Sequence, residues 1–152
     1  MEKSCFLKMD FKIAENSTVY DAVKRMSAHR VGALAVTSSN DSDKIIGIVS
    51  ERDYLSKVAL LGKQSRTTMV SEICTQGDSN LICVRATDSV DECMRKVLAS
   101  DVRHLLVRDS QDKIVSLFSI KDLCKCVVAK HNEVVQRLTD FGVGKGAFFG
   151  SE

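Results

Sequence analysis

The chain says much the same thing twice. Gly47-Ile48-Val49-Ser50-Glu51-Arg52-Asp53 is answered by Ser116-Leu117-Phe118-Ser119-Ile120-Lys121-Asp122. In each heptad an apolar, strand-like run ends on a Ser, and a helix-like run carries an Asp three residues on. From Ser50 to Ser119 is 69 positions. A repeat of this length predicts two related units that pack on each other.

The rest of the chain extends the correspondence. Val19, Ala22, Val23 and Met26 recur at helical spacing, and so do Val90, Cys93, Met94 and Val97. Thr18 and Ser89 precede these runs as helix caps. Residues 31–36 and 102–107 read as short buried strands. Residues 44–49 and 113–118 read as the strands that follow polar turns. The second turn is two residues shorter, which moves the repeat offset from 71 to 69 without disturbing strand register. A helix after Ser50 carries Tyr54, Leu55, Val58 and Leu61, and one after Ser119 carries Leu123, Val127, Val134 and Leu138. Phe11-Lys12-Ile13 and Leu81-Ile82-Cys83-Val84 start the two units. The expected order is strand, helix, strand, strand, helix, performed twice. A short helix is expected around residues 69–73, in the connection.

Bulk properties exclude several classes of function. A chain of 152 residues fits one compact domain or two small units sharing a core. A formal charge of +2, with no basic stripe interleaved with aromatics, argues against nucleic acid as a partner. No apolar run approaches membrane-spanning length, so no membrane partner is expected. Cys5, Cys74, Cys83, Cys93, Cys124 and Cys126 lie mostly in apolar or helix-like surroundings and read as reduced structural thiols. That favours an intracellular compartment. Met1-Glu2-Lys3-Ser4 lacks a signal-peptide pattern. The expected location is mitochondrial if a transit peptide has been removed, and cytoplasmic otherwise. Cys124-Lys125-Cys126 has the wrong gap for a zinc knuckle, and no metal site is expected.

The two junctions carry the chemistry. Backbone N–H groups of a first helical turn lack partners and favour an anion. Ser50 and Ser119 can each donate to a phosphate oxygen, or cap their own helices. Asp53 and Asp122, one turn on, can accept the two hydroxyl protons of a ribose, or stand as solvated first-turn acids. Arg103 suits a phosphate or a salt bridge. His104 suits phosphate or base, or a satisfied core position. The matching residues in the first unit are Gly32 and Ala33, so two clefts built this way are chemically unequal. Gly32 leaves room for a flat ring near the backbone. His29 and Arg30 read as exposed groups or as polar neighbours of the cleft, and His131 as a surface or packing residue of the last helix. No nucleophile with a base and no metal clamp is evident, so a binding site is expected rather than a catalytic one.

These features resemble a tandem CBS-domain pair, the module named after cystathionine β-synthase. Residues 47–53 are its strongest mark and residues 102–107 the second; the resemblance covers about residues 10 to 130. Lys130-His131-Asn132-Glu133-Val134-Val135-Gln136-Arg137-Leu138 also resembles stand-alone pairs of the plant mitochondrial type. The resemblance implies an α/β fold with pseudo-two-fold internal symmetry. The implied boundaries are a first repeat over residues 10–62 and a linker over 63–80. A second repeat with an extended C-terminal helix spans 81–138, and a flexible tail 139–152. It also implies a homodimer formed through helical faces.

The resemblance further implies a regulatory module that senses energy or redox state through an adenosine-containing ligand. AMP, ADP and ATP fit that description, as do NADH and S-adenosylmethionine; no cofactor is required. A regulated protein partner is implied, with thioredoxin the first candidate. Asp53 and Asp122 become the ribose-binding acids, with Ser50 and Ser119 beside them. Leu81, Ile82, Arg103 and His104 are implied for the Asp53 cleft. Asp10, Phe11, Val31 and Gly32 are implied for the Asp122 cleft. Ser116 stands where the motif has glycine, and Leu105-Leu106 lacks the common proline. A structural adaptor with vestigial clefts and a nucleotide hydrolase remain as alternatives.

Overall fold

Each repeat opens on a short strand and a capped helix. The computed structural model describes residues 11–142. Strand β1 (Lys12–Ala14) leads to helix α1 (Val19–His29), whose first turn is capped by the Thr18 hydroxyl accepting from the Asp21 amide. Strands β2 (Ala33–Thr37) and β3 (Ile45–Ser50) follow, and then helix α2 (Glu51–Tyr54). The second repeat gives β5 (Cys83–Arg85), α3 (Val90–Ser100), β6 (His104–Arg108), β7 (Ile114–Ser119) and α4 (Ile120–Gly142). Ser89 caps α3 with a reciprocal bond from its own amide to Glu92.

The symmetry reaches details that no local residue preference demands. Helix α1 ends at Arg30 (φ 53°) and α3 at Asp101 (φ 49°), both left-handed non-glycine residues. The amides of Val31 and Val102 then return to the carbonyls of Met26 and Val97. In each sheet the parallel first pair is followed by an antiparallel pair, β1–β2–β3 and β5–β6–β7. Register shifts fall at Val36/Thr37 and at Val107/Arg108, the same place in both units.

Side-chain alternation in β2 and β6 builds three layers of core. Leu34 and Val36 face α1, with Val19, Ala22, Met26, Val49 and Val58. Leu105 and Val107 face α3, with Cys93, Val97, Phe118 and Leu123. The residues between them, Ala35 and Leu106, point the other way and meet with Leu81 and Ile114, flanked by Phe11, Ile48 and Leu117. The two sheets therefore share one buried apolar layer, and β2 and β6 are covered on both faces.

The differences from expectation have physical reasons. The helix after Ser50 is α-helical only through Tyr54 and then opens into a wide π turn, Leu55–Ala59. The wider turn breaks the 3.6-residue phase: Val58 is buried, whereas Leu55 and Leu61 are 61% and 63% exposed. In α4, Leu123 is buried but Val127, Val134 and Leu138 lie exposed on a helix that runs four residues past Leu138, to Gly142. Positions 139–142 of the expected tail are thus helical, and the rest of that tail lies outside the described residues.

In the connection the expected short helix is a 3-10 helix (Val70–Glu72), and a two-residue strand, β4 (Thr75–Gln76), follows it. β4 pairs antiparallel with β3, setting Gly47 opposite Gln76. A Cβ on Gly47 would lie 2.5 Å from the Thr75 carbonyl oxygen, so only glycine admits the strand. At the matching position β7 carries Ser116, and among the described residues no strand covers that edge.

Candidate ligand cleft between the repeats

Strand β3 ends at Ser50 in extended backbone, and the chain turns directly into α2. The Ser50 amide and hydroxyl both donate to Asp53 Oδ2 at 2.9 Å, and the Asp53 amide returns a long bond to Ser50 Oγ. The second junction repeats this box. The Ser119 amide donates to Asp122 Oδ2 at 3.0 Å and its hydroxyl at 2.7 Å, with the Asp122 amide donating to Ser119 Oγ at 3.2 Å. Each Ser–Asp pair therefore serves its own helix start. The hydroxyl proton points at the paired carboxylate, so a phosphate would have to draw the hydroxyl away from it.

Beside the first junction lies a cavity of about 220 Å³. One wall is Ser50, Glu51, Arg52 and Asp53, with Gly32 and Ile48 from neighbouring elements. The facing wall comes from the other repeat: Asp101, Val102, Arg103 and His104, with Ile82 and Leu106. Thr75 and Asn80 complete the lining. Ser50, Asp53, Ile82, Arg103 and His104 are thus brought to one space.

Leu81 does not line that cavity; its apolar side chain is buried in the layer between the sheets, with Ala35, Leu106 and Ile114. Gly32, expected at the Asp122 cleft, lines the Asp53 cavity instead. The loop after Arg30 delivers it there, and the Glu51 amide bonds its carbonyl at 2.9 Å. Phe11 packs on the inter-sheet layer and Val31 against the first core. Asp10 lies outside the described residues. Ser119 and Asp122 sit at the start of α4, apart from this lining.

Thr75 was not singled out from sequence because β4 reaches the cleft only through its pairing with β3, and Asn80 because it stands in the turn after β4, where its side-chain amide donates to the Gln76 carbonyl at 2.9 Å. Asp101 was missed because its left-handed backbone carries no glycine signal.

His104 links the two junctions. It pairs with Ser119 in the β6–β7 ladder, yet its ring approaches Gly32: a Cβ placed there would lie 3.3 Å from His104 Cε1 and 3.3 Å from Glu51 Oε2. Burial pushes its pKa below the ordinary imidazole value of 6.5, Asp122 pulls it back up, and Arg103 pushes it down. As pH falls below the ordinary value the unfolded chain binds the proton first. The stability associated with a neutral His104 is present above 6.5 and is lost as pH falls through the lowered folded value. Urea midpoints measured from pH 7.5 to 5.0 should decline, and His104→Asn should flatten the decline. Equal slopes in the two proteins would remove His104 as the cause.

Arg103 is exposed, makes no ion pair among the described residues, and accepts the Ile120 amide on its carbonyl at 2.8 Å. Asp53 is different: its Oδ1 meets Lys57 Nζ at 2.7 Å. His29, Arg30 and His131 are exposed. Cys74, Cys83, Cys93 and Cys124 are free thiols, Cys126 is buried, and burial raises the pKa of Cys74 and Cys93. Among the described residues no cluster of His, Cys, Asp and Glu has the arrangement of a metal site, and no helix is long and apolar enough to cross a membrane.

Comparison with known proteins adds to this geometry. Residues 9–60 and 70–129 match the family model described as CBS domain. The mitochondrial CBS domain-containing protein CBSX3 of Arabidopsis thaliana is 38% identical over 127 residues, 83% of this chain and 60% of that protein. The chain thus spans less than two thirds of this relative. A putative signal-transduction protein with CBS domains from Burkholderia ambifaria superposes with a TM-score of 0.72 at 41% identity, over 80% of this chain and 85% of that one. A CBS domain protein of Pyrobaculum aerophilum, solved in complex with AMP, gives a TM-score of 0.70 at 23% identity, over 80% and 88% of the two chains.

Proposed function

The chain belongs to the CBS-domain family, and from that premise we propose that it is a regulatory module that binds an adenosine-containing ligand between its repeats and modulates a partner protein. The observation that carries this reading is the cavity itself. It sets the Asp53 junction of one repeat against Arg103 and His104 of the other, an acid for sugar hydroxyls facing cationic and aromatic groups for phosphate and base. The AMP found in the Pyrobaculum aerophilum protein supports the ligand class. At each junction the Ser hydroxyl and the Asp carboxylate are committed to the capping box of their own helix, which supports a module that acts by binding.

Homodimer formation, mitochondrial residence and thioredoxin as the partner belong to the same proposal. The name of the plant relative supports the compartment, and the resemblance described above supports the partner.

Calorimetry on ligand-stripped protein with AMP, ADP, ATP, NADH and S-adenosylmethionine tests the ligand. Binding by at least one is expected, and no binding by folded protein would reject the reading. Thioredoxin affinity measured with and without the bound ligand tests regulation. A sensor must show coupling of equal size in both directions. A structural adaptor with vestigial clefts shows none.

A further inference from the structure

The two junction carboxylates share a capping box but differ in what meets their second oxygen. Asp53 Oδ2 is taken by the Ser50 amide and hydroxyl, and Oδ1 by the Lys57 ammonium at 2.7 Å. Lys57 Nζ is itself anchored, donating to the Ile73 carbonyl at 2.6 Å, just before β4. In the second repeat the residue at Lys57's place, 69 positions on, is Cys126, a buried thiol. Among the described residues no Lys or Arg comes within ion-pair distance of Asp122.

A carboxylate offers about four lone-pair sites. Three donors already occupy Asp53, which leaves about one site, whereas the vicinal diol of a ribose brings two hydroxyl donors. At Asp122 the Oδ1 oxygen receives none of the box hydrogen bonds.

We propose that Lys57 is a specificity-determining residue of the first cleft: it competes with the ribose diol for Asp53, so that this cleft discriminates weakly between ribo- and deoxyribonucleotides. The inference rests on the reading that an adenosine-bearing ligand enters the cleft. It goes beyond that reading in assigning sugar selectivity to a residue outside the cavity lining. A ligand that engages Asp53 through both hydroxyls must share the carboxylate with an ammonium that is also tied to Ile73. One that presents a single hydroxyl loses little.

The test weakens the second junction with Asp122→Asn in every protein compared, so that this background cancels between Lys57 variants, and titrates AMP and 2′-deoxyadenosine monophosphate by calorimetry. With Lys57 present, the two affinities should lie within about threefold, because only one hydroxyl finds an acceptor. Lys57→Met should tighten AMP and widen the ratio to about tenfold or more, the worth of one hydrogen bond to a charged group. Lys57→Gln, which keeps a neutral donor, should fall between, and thermal melts confirm that both variants fold. An unchanged ratio in folded Lys57→Met protein overturns the inference and leaves the proposed function standing. Loss of all AMP binding in Asp122→Asn protein, with binding intact in the unsubstituted chain, also overturns it and confines the ligand to the second junction. No binding to the unsubstituted chain overturns both.

Discussion

Leu34→Ala and Leu105→Ala should each lower the free energy of unfolding by about 2–5 kcal/mol. The two leucines occupy the same place in the repeat, and both are 0% exposed. Leu34 packs against α1 in the first core and Leu105 against α3 in the second, so each truncation opens a cavity in a different unit. A domain of this size is stable by only about 5–15 kcal/mol, which makes either loss a large share of the total. The informative feature is the shape of the urea curve. The layer of Ala35, Leu81, Leu106 and Ile114 joins the sheets, so damage to either unit should move one common transition. Two separate transitions in either variant would show that the shared layer does not couple the units.

Asp53→Asn and Asp122→Asn should each weaken AMP at their own junction by about 1.5–3 kcal/mol, tenfold or more in affinity, where the lost bond is charge-assisted. Asparagine is the informative replacement. Alanine also removes the capping box, because each carboxylate accepts the amide and hydroxyl of its own Ser. An alanine variant would lose about 1 kcal/mol of helix-start stability as well, mixing folding with binding. Calorimetry with AMP, paired with urea midpoints, separates the two effects. Unaltered AMP affinity in both folded asparagine variants would show that neither carboxylate holds the sugar.

What the sequence made legible is what repeats. Thr18 and Ser89 announce helix starts through side-chain chemistry that acts within three residues. The alternation of Leu34, Ala35 and Val36, matched by Leu105, Leu106 and Val107, is enough to predict strands buried on two faces. The Ser–Asp spacing predicts both junctions, although not that hydroxyl and carboxylate bond to each other. Long-range effects were illegible. β4 is two residues long and exists because the backbone of Gly47 lets it approach. Lys57 reads as one more exposed helical lysine until the fold brings the Ile73 carbonyl beside it. The π turn after Tyr54 leaves no mark in an apolar pattern that looks helical.

The strand that Gly47 admits has a consequence for how the molecule can be taken apart. β4 lies within the second family match, which begins at residue 70, yet hydrogen-bonds to the first sheet. The stretch of sequence that was duplicated and the body that closes a sheet are therefore out of phase. A gene cut between the two copies would hand the first half a raw sheet edge and leave the second with an orphan strand. Half-chains expressed alone should present open strand edges prone to pairing with one another. Mixed together, they should recover through complementation what neither possesses by itself.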